Sequence, residues 1–560
     1  MSDIDVIYRQ ANPPESPLAN WRGFKQETVV LQRGSVHSPG GRPLTCDIIF
    51  ERDVEVTLRD GTVIYTDVYR PVTDDRVPAL MAWSPYGKQG GFWQLDVFPD
   101  RAGVPAQAVS GLQKWEAPDP AYWCEHGYAI VNPDARGSFE SGGDVQVFSS
   151  QEGRDGADVI EWIAEQDWSS GKVGMAGNSW LAVTQWLIAA QRPPHLTAIA
   201  PWEGLTDVYR DLVAMGGIPD PVFTEGILQN NYGRNKIEDV IAMITKRPLF
   251  DEYWATKVID VSKIDIPVYV VASYTNALHT RGTLAAYAKL DPDKTWLRIH
   301  NSMEWPDFYE HQDDLRRFYD HVLKGAKNGW EETPRVRMAI LDPGHEDVLD
   351  VAQPSFPPPG VVSTAFYLRC DDHTISRSEP TDAASTSYDA EGGRAVFEAD
   401  LGDLTLAGPM RLRLWVQADG HDEMDLFVGV QKVAADGSVL VPEFMPKLPS
   451  PGARGQLRVS HRKTDDRLST DLVPHHTHDE VQPLSEGEIV AVDIEIWPMA
   501  MRWHRGEKLR IVVSGQELQV PIVPGLPPRP TNNAGRHIIH SGPQRPSFLM
   551  APVLPTAEHG

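Results

Sequence analysis

At 560 residues the chain is longer than one hydrophobic core usually organises, so two or three domains are expected, and 41% hydrophobic residues suffice to bury large cores. Its 52 basic and 78 acidic residues leave a formal charge of −26, which argues against nucleic acid and anionic membrane surfaces and favours a neutral or cationic small molecule as partner. Cys46, Cys124 and Cys370 are far apart and odd in number, so neither a disulfide framework nor a cysteine-based zinc knuckle is expected. The first 20 residues carry Asp3, Asp5 and prolines where a signal peptide would have a basic start and an apolar core, and no run of about 18 apolar residues occurs. The expectation is a soluble cytoplasmic protein.

Residues 1–50 are rich in Pro, Gly and polar residues and read as an irregular arm. Val54–Leu58, the turn Arg59-Asp60-Gly61 and Val63–Tyr69 then read as a hairpin. Pro78–Trp83 and Tyr128–Val131 are continuous apolar strands, leading to Ser84-Pro85-Tyr86-Gly87-Lys88 and to Asp134-Ala135-Arg136-Gly137-Ser138. Gly153–Gln166 has helical spacing through Ala157, Ile160, Trp162 and Ile163. Leu196–Ala200 and Val268–Ala272 are further buried strands, separated by a mainly helical insertion at about 205–262. This alternation predicts a doubly wound, mostly parallel sheet over 51–344, with the insertion as a cap above the carboxyl ends of the strands. From about residue 345 the pattern turns all-β, through Met410–Val416, Leu426–Val430, Ile489–Ile496 and Leu509–Val513, and predicts a β-sandwich of jelly-roll type over 345–560. A sandwich-mediated homo-oligomer is left open beside a monomer.

The stretch that organises the chemistry is Val173-Gly174-Met175-Ala176-Gly177-Asn178-Ser179-Trp180, followed by the apolar run Leu181–Ala190. A buried strand turning sharply into a helix presents a serine hydroxyl above the sheet, with the next N–H, that of Trp180, aimed at a developing oxyanion. Gly177 matches the first glycine of Gly-x-Ser-x-Gly, and Leu181 stands in place of the second. The same stretch lacks the Gly-x-Gly-x-x-Gly and Gly-Lys-Ser/Thr patterns of nucleotide loops, so no cofactor is expected.

Tyr86 in Ser-Pro-Tyr-Gly-Lys, Arg136-Gly137-Ser138 with Ser141-Gly142-Gly143, Gly177-Asn178-Ser179-Trp180, and Gly455–Arg462 in the terminal β region together resemble the X-prolyl dipeptidyl peptidase and cocaine esterase family of α/β-hydrolases over about 51–545. The resemblance implies hydrolysis of esters or amides by a serine nucleophile, here Ser179, with the oxyanion held by the Tyr86 hydroxyl and the Trp180 N–H. It also implies a catalytic aspartate after the 268–272 strand, where this chain has Tyr274-Thr275-Asn276, and a histidine where the register Trp296-Leu297-Arg298-Ile299 places Glu304.

Three readings follow from that departure. His300 serves as the base, oriented by Glu203 or Glu304; or Glu304 is the base, in a pocket that raises its pKa; or the scaffold has left hydrolysis and binds or rearranges a small molecule. His279 follows a strand end and is held as a reserve base, although a helix-starting loop is its plainer role. His475-His476-Thr477-His478 reads as a solvated loop, and no metal is expected. Trp93, Trp115, Trp123, Trp202 and Trp254 are placed to line an apolar pocket or to fill the core.

Overall fold

Short apolar runs bounded by turns become the buried central strands of one large sheet. In the computed structural model, which describes residues 4–445, 448–518 and 526–555, the strands are β1 (Glu27–Leu31), β2 (Ile48–Thr57), β3 (Val63–Pro71), β4 (Val77–Met81), β5 (Ala129–Pro133), β6 (Ser169–Asn178), β7 (Leu196–Trp202), β8 (Val268–Ser273), β9 (Thr295–His300), β10 (Val336–Ile340) and β11 (Val348–Gln353). The two ends of the chain, 1–3 and 556–560, lie outside the described residues. The sheet order is β11-β10-β9-β8-β7-β6-β4-β5-β3-β2-β1. From β10 across to β5 every pairing is parallel, and the hairpin side β5-β3-β2-β1 and the far edge β10-β11 are antiparallel. All residues of β4, β5, β8 and β9 are buried, as strands covered on both faces must be. This is a hydrolase fold with a mostly parallel sheet.

The helices that matter for the site follow the carboxyl ends of these strands. They are α1 (Ser150–Ala164), α2 (Trp180–Ala189), α3 (Thr280–Tyr287) and α4 (Glu304–Glu310). The insertion contributes helices at Pro221–Gln229, Val240–Lys246 and Glu252–Ala255. No helix among the described residues is long and apolar enough to cross a membrane.

The structure corrects the expectations for the arm and for the histidine run. The arm is not irregular throughout: Tyr8–Gln10 pairs with Lys236–Glu238 of the insertion, and β1 extends the main sheet beside β2. Edge strands of this kind are fixed by backbone bonds to distant partners, and their own composition carries little signal. The histidine run is not solvated, because His476 and His478 are buried and Arg210 of the insertion donates to the His476 carbonyl at 3.1 and 3.2 Å. His461 and His478 share a hydrogen bond through their Nδ1 atoms at 3.1 Å, and burial pushes His461 and His476 down to about 4.

Beyond β11 the chain is all-β, and the first sheet runs past the expected boundary at residue 344. In the second sheet Leu404–Asp419 is buried through Gly408, alternates half-buried and buried residues from Pro409 to Ala418, and pairs with Val490–Trp503, Arg536–Ser541 and Phe548–Val553. Since Phe548–Val553 also pairs with Val362–Arg369 at the other end of the strand order, the sheet closes on itself.

The two domains are welded at Leu341, whose N–H donates to Ala500 O and whose carbonyl accepts from Arg502 N–H, each at 2.9 Å. Beside it the fully buried Lys432 ammonium lies 2.6 Å from Asp342 and 2.8 Å from Glu507, whose other oxygens meet His504 and His345. Lysine thus supplies the cation that these carboxylates need, and removing it leaves buried charges uncompensated. We expect Lys432→Met to lower stability in urea unfolding by about 3 to 5 kcal/mol. An unchanged midpoint would refute this account of the domain junction.

Candidate active site

Ser179 sits between β6 and α2 with φ 55° and ψ −120°, a conformation that L-residues adopt only under external constraint. Two backbone bonds impose it: Ser179 N–H donates to Glu203 O at 3.0 Å, and Asn178 N–H to Glu116 O at 3.2 Å. Gly177, at φ 138°, cannot carry a side chain, because a Cβ there would lie 2.7 Å from Leu181 Cβ and 2.8 Å from Glu116 O. This contact explains the half-matched motif. Leu181 fills the space that Gly177 leaves, so one glycine satisfies the close approach of strand and helix.

Tyr86 follows β4, and burial holds its phenol well above its ordinary pKa. Its ring meets Trp180 edge-on, with centroids 5.7 Å apart. Trp180 is the first residue of α2, so its N–H has no intrahelical partner and is free to face a ligand atom. The Trp180 indole donates to Glu152 Oε1 at 3.0 Å, and the Trp83 indole donates to the same oxygen at 3.2 Å.

Ser179 and Tyr86 open into a cavity whose polar side is formed by Asn276, His279, Glu304 and Glu116. Trp93, Phe98, Trp115 and Trp305 supply aromatic walls, and Phe223 and Ile227 reach in from the insertion. Trp123, Trp202 and Trp254 are core residues. Glu304 heads α4 and is buried; Asn276 Nδ2 donates to its Oε2 at 3.1 Å, and His279 Nε2 lies 3.9 Å from that oxygen. Burial, and then repulsion from Glu203 and Glu116, raises Glu304 well above the carboxylate range. Burial likewise pushes His279 down to about 3, so its ring is neutral, with an unpartnered Nδ1.

The structure brings Ser179, Tyr86, Trp180 and Glu304 together but keeps His300 out of the cavity lining. The last residue of β9 is captured on the other side of Glu203, where His300 Nε2 and Glu203 Oε1 share a hydrogen bond at 2.6 Å. Its Nδ1 lies 3.3 Å from the Ser302 hydroxyl and 3.6 Å from Asp307. Asp307 is fixed in turn by both Arg298 Nη atoms; burial alone would raise its pKa, but Arg298 and His300 outweigh it and hold it below the carboxylate range. Glu203 donates nothing to the cavity directly. Its Oε2 accepts from Asn276 Nδ2 at 2.6 Å, so Asn276 bridges Glu203 and Glu304, while Asn276 Oδ1 accepts the N–H groups of Leu278 and His279 at 2.8 and 2.9 Å.

Glu116, Asn276 and Trp305 were not singled out as site residues from sequence. Glu116 is the clearest omission: a charged residue within the aromatic loop Lys114-Trp115-Glu116, it accepts the Trp305 indole at 2.8 Å and leaves Oε2 without a partner. Burial raises its pKa well above the usual range.

Comparison with known proteins gives a consistent picture. Residues 60–239 match the model of the X-Pro dipeptidyl-peptidase (S15) family, and 328–550 match that of the X-Pro dipeptidyl-peptidase C-terminal non-catalytic domain. The interval between them carries Asn276, His279 and Glu304. A Staphylococcus aureus CocE/NonD family hydrolase is 34% identical in sequence, with a TM-score of 0.86 over 91% of this chain and 94% of that one. The cocaine esterase of a Rhodococcus species is 37% identical over 158 residues, covering 28% of this chain and 24% of that protein. An α-amino acid ester hydrolase shares the fold at 16% identity, with a TM-score of 0.68 over 91% of this chain and 97% of that one.

Substitution of the elbow glycine tests the packing argument. Gly177→Ala must displace Leu181 or the Glu116 carbonyl, and we expect a loss of about 2 to 4 kcal/mol in unfolding free energy together with loss of whatever activity the elbow supports. Parental stability and activity would show that the close approach at Gly177 does not set the turn.

Proposed function

Because the chain belongs to the CocE/NonD family of hydrolases, we propose that it cleaves a carboxylic ester or amide of a small, largely hydrophobic molecule through an acyl-enzyme on Ser179. The observation that carries this reading is the elbow itself: a strained serine that opens, together with Tyr86, into an aromatic-walled cavity. In the proposed cycle Ser179 Oγ attacks the carbonyl carbon and its proton passes to the Glu304 carboxylate. The tetrahedral oxyanion is held by the Tyr86 hydroxyl and the Trp180 N–H, and Glu304 returns the proton to the leaving group as the acyl-enzyme forms. Water then repeats the sequence. Asn276 orients Glu304, and neutral His279 offers it an acceptor. His300 is assigned a positioning role, through Glu203 and Asn276.

A second reading has a specific observation in its favour. Glu116 and Glu304, which line the cavity, are shifted toward the protonated form, as is Glu203 beside them, so the cavity holds carboxylic acids better than it holds bases. That environment suits a protein that binds a small molecule or rearranges it by acid catalysis. In the family reading the C-terminal all-β domain is a jelly roll, supported by its closed and mostly antiparallel pairing, and three unpaired cysteines support a cytoplasmic setting.

The hydrolytic reading fixes the pH dependence. The base is the ionised form of Glu304, whose pKa is raised, so kcat/KM is present above that raised value and lost as the pH falls through it. We expect the acid limb of the profile to lie well above the usual carboxylate range and Glu304→Gln to abolish turnover at every pH. A limb near pH 4, or parental activity in Glu304→Gln, would remove Glu304 as base. Ser179→Ala should abolish turnover of an activated ester, and Tyr86→Phe should lower kcat by the equivalent of about 2 to 4 kcal/mol with little change in KM. An effect of Tyr86→Phe confined to KM would make Tyr86 part of the pocket wall.

A further inference from the structure

Glu152 occupies the third position of α1, and the helix N-cap is Ser149, whose side chain accepts the Glu152 N–H. In sequence the pair Ser149 and Glu152 has the spacing of a capping box, in which the glutamate would turn back to the N-cap N–H and stay near solvent. The side chain does something else. It points inward, is only 7% exposed, and accepts the Trp83 and Trp180 indole N–H groups on one oxygen, Oε1, while Oε2 has no hydrogen-bond partner. Burying a carboxyl group with an unpartnered oxygen costs stability, and a helix cap does not require it.

The two indoles belong to the two halves of the proposed oxyanion site. Trp83 follows β4 and stands three residues before Tyr86; Trp180 is the residue whose backbone N–H follows the nucleophile. Ser84 and Tyr86 continue from Trp83 in one short loop, with Tyr86 N–H directed at Ser84 Oγ at 3.5 Å. The Thr184 hydroxyl of α2 adds a second tie to the same place, donating to Trp83 O at 2.9 Å. One carboxylate oxygen therefore fixes the spacing between the loop that presents the Tyr86 hydroxyl and the helix end that presents the Trp180 N–H.

We propose that Glu152 is a positioning residue for the oxyanion site, acting through the Trp83 and Trp180 indoles to set the separation of its two donors. The proposal rests on Ser179 being the nucleophile. Donor placement matters more in the transition state than in the ground state, because the oxyanion occupies a different position from the substrate carbonyl oxygen. Loss of Glu152 should therefore appear in kcat and leave KM nearly unchanged.

The test is steady-state kinetics on an activated ester, with kcat referred to the Ser179 sites titrated by a fluorophosphonate probe so that misfolded protein is not counted. Glu152→Ala is expected to lower kcat by about 10- to 100-fold with KM within about threefold, and Glu152→Gln, which keeps an acceptor oxygen, to recover most of that loss. Trp83→Phe removes one indole donor, is less disruptive than Glu152→Ala, and should lower kcat in the same sense. Combining Glu152→Ala with Tyr86→Phe should cost little more than Tyr86→Phe alone, because the two act on one unit. Parental kcat per titrated site in both Glu152→Ala and Trp83→Phe, a loss in Glu152→Gln as large as in Glu152→Ala, or losses that multiply in the double variant would each overturn the proposal. If the parental protein takes up no probe at Ser179, the nucleophile reading itself fails, and the two failures are thereby distinguished.

Discussion

The turn at Ser179 exists because two carbonyl groups reach it from outside its own strand and helix. A residue at φ 55° and ψ −120° does not hold that shape unaided, and here Glu203 O takes the Ser179 N–H while Glu116 O takes the Asn178 N–H. The two carbonyls belong to glutamates that also shape the electrostatics of the cavity. Backbone and side chain of the same two residues thus serve different ends: the backbone sets the geometry of the elbow, and the side chains set the charge around it. Glu203 is itself at φ 58°, so the constraint is shared between neighbouring strand ends.

The charge problem that this creates is solved by protonation and by amide bridging. Glu116 and Glu304 line a site that has no lysine or arginine among its described lining residues, and Glu203 is tied to Glu304 through Asn276. Burial moves all three toward the neutral form, and repulsion from Glu203 adds to it at Glu116 and Glu304. Asn276 stands between two of them, giving each a hydrogen bond from one Nδ2. An aspartate at that position would add a fourth carboxyl group to the cluster, so asparagine at 276 and glutamate at 304 are compatible as a pair. On the outer side, His300 and the Arg298–Asp307 ion pair anchor Glu203 without entering the cavity.

Much of this was legible in the sequence where the determinant is local. Ser179 and Trp180 are marked by an apolar strand, one glycine and a helix within about a dozen residues, and Tyr86 by its place at the end of an apolar strand. The register from Trp296 to Glu304 also identified the residue that enters the cavity, because a short strand followed by a helix fixes where the chain re-emerges. What sequence could not supply are contacts made across the chain. His300 is drawn away by Glu203, 97 positions earlier, and Glu152 is turned inward by an indole 69 positions earlier. The histidine run looked solvated because nothing near it announces Arg210. The arm looked irregular because its strands are completed by Ile48–Thr57 and by Lys236–Glu238 of the insertion.

The account depends most on a covalent intermediate at Ser179. Mass spectrometry of the protein quenched in acid during turnover of an activated ester, followed by proteolytic mapping, tests it directly. The account predicts an added acyl mass on the peptide that contains Ser179, absent from Ser179→Ala. Steady turnover with Ser179 unmodified, or an acyl group on any other residue of the cavity, would contradict it.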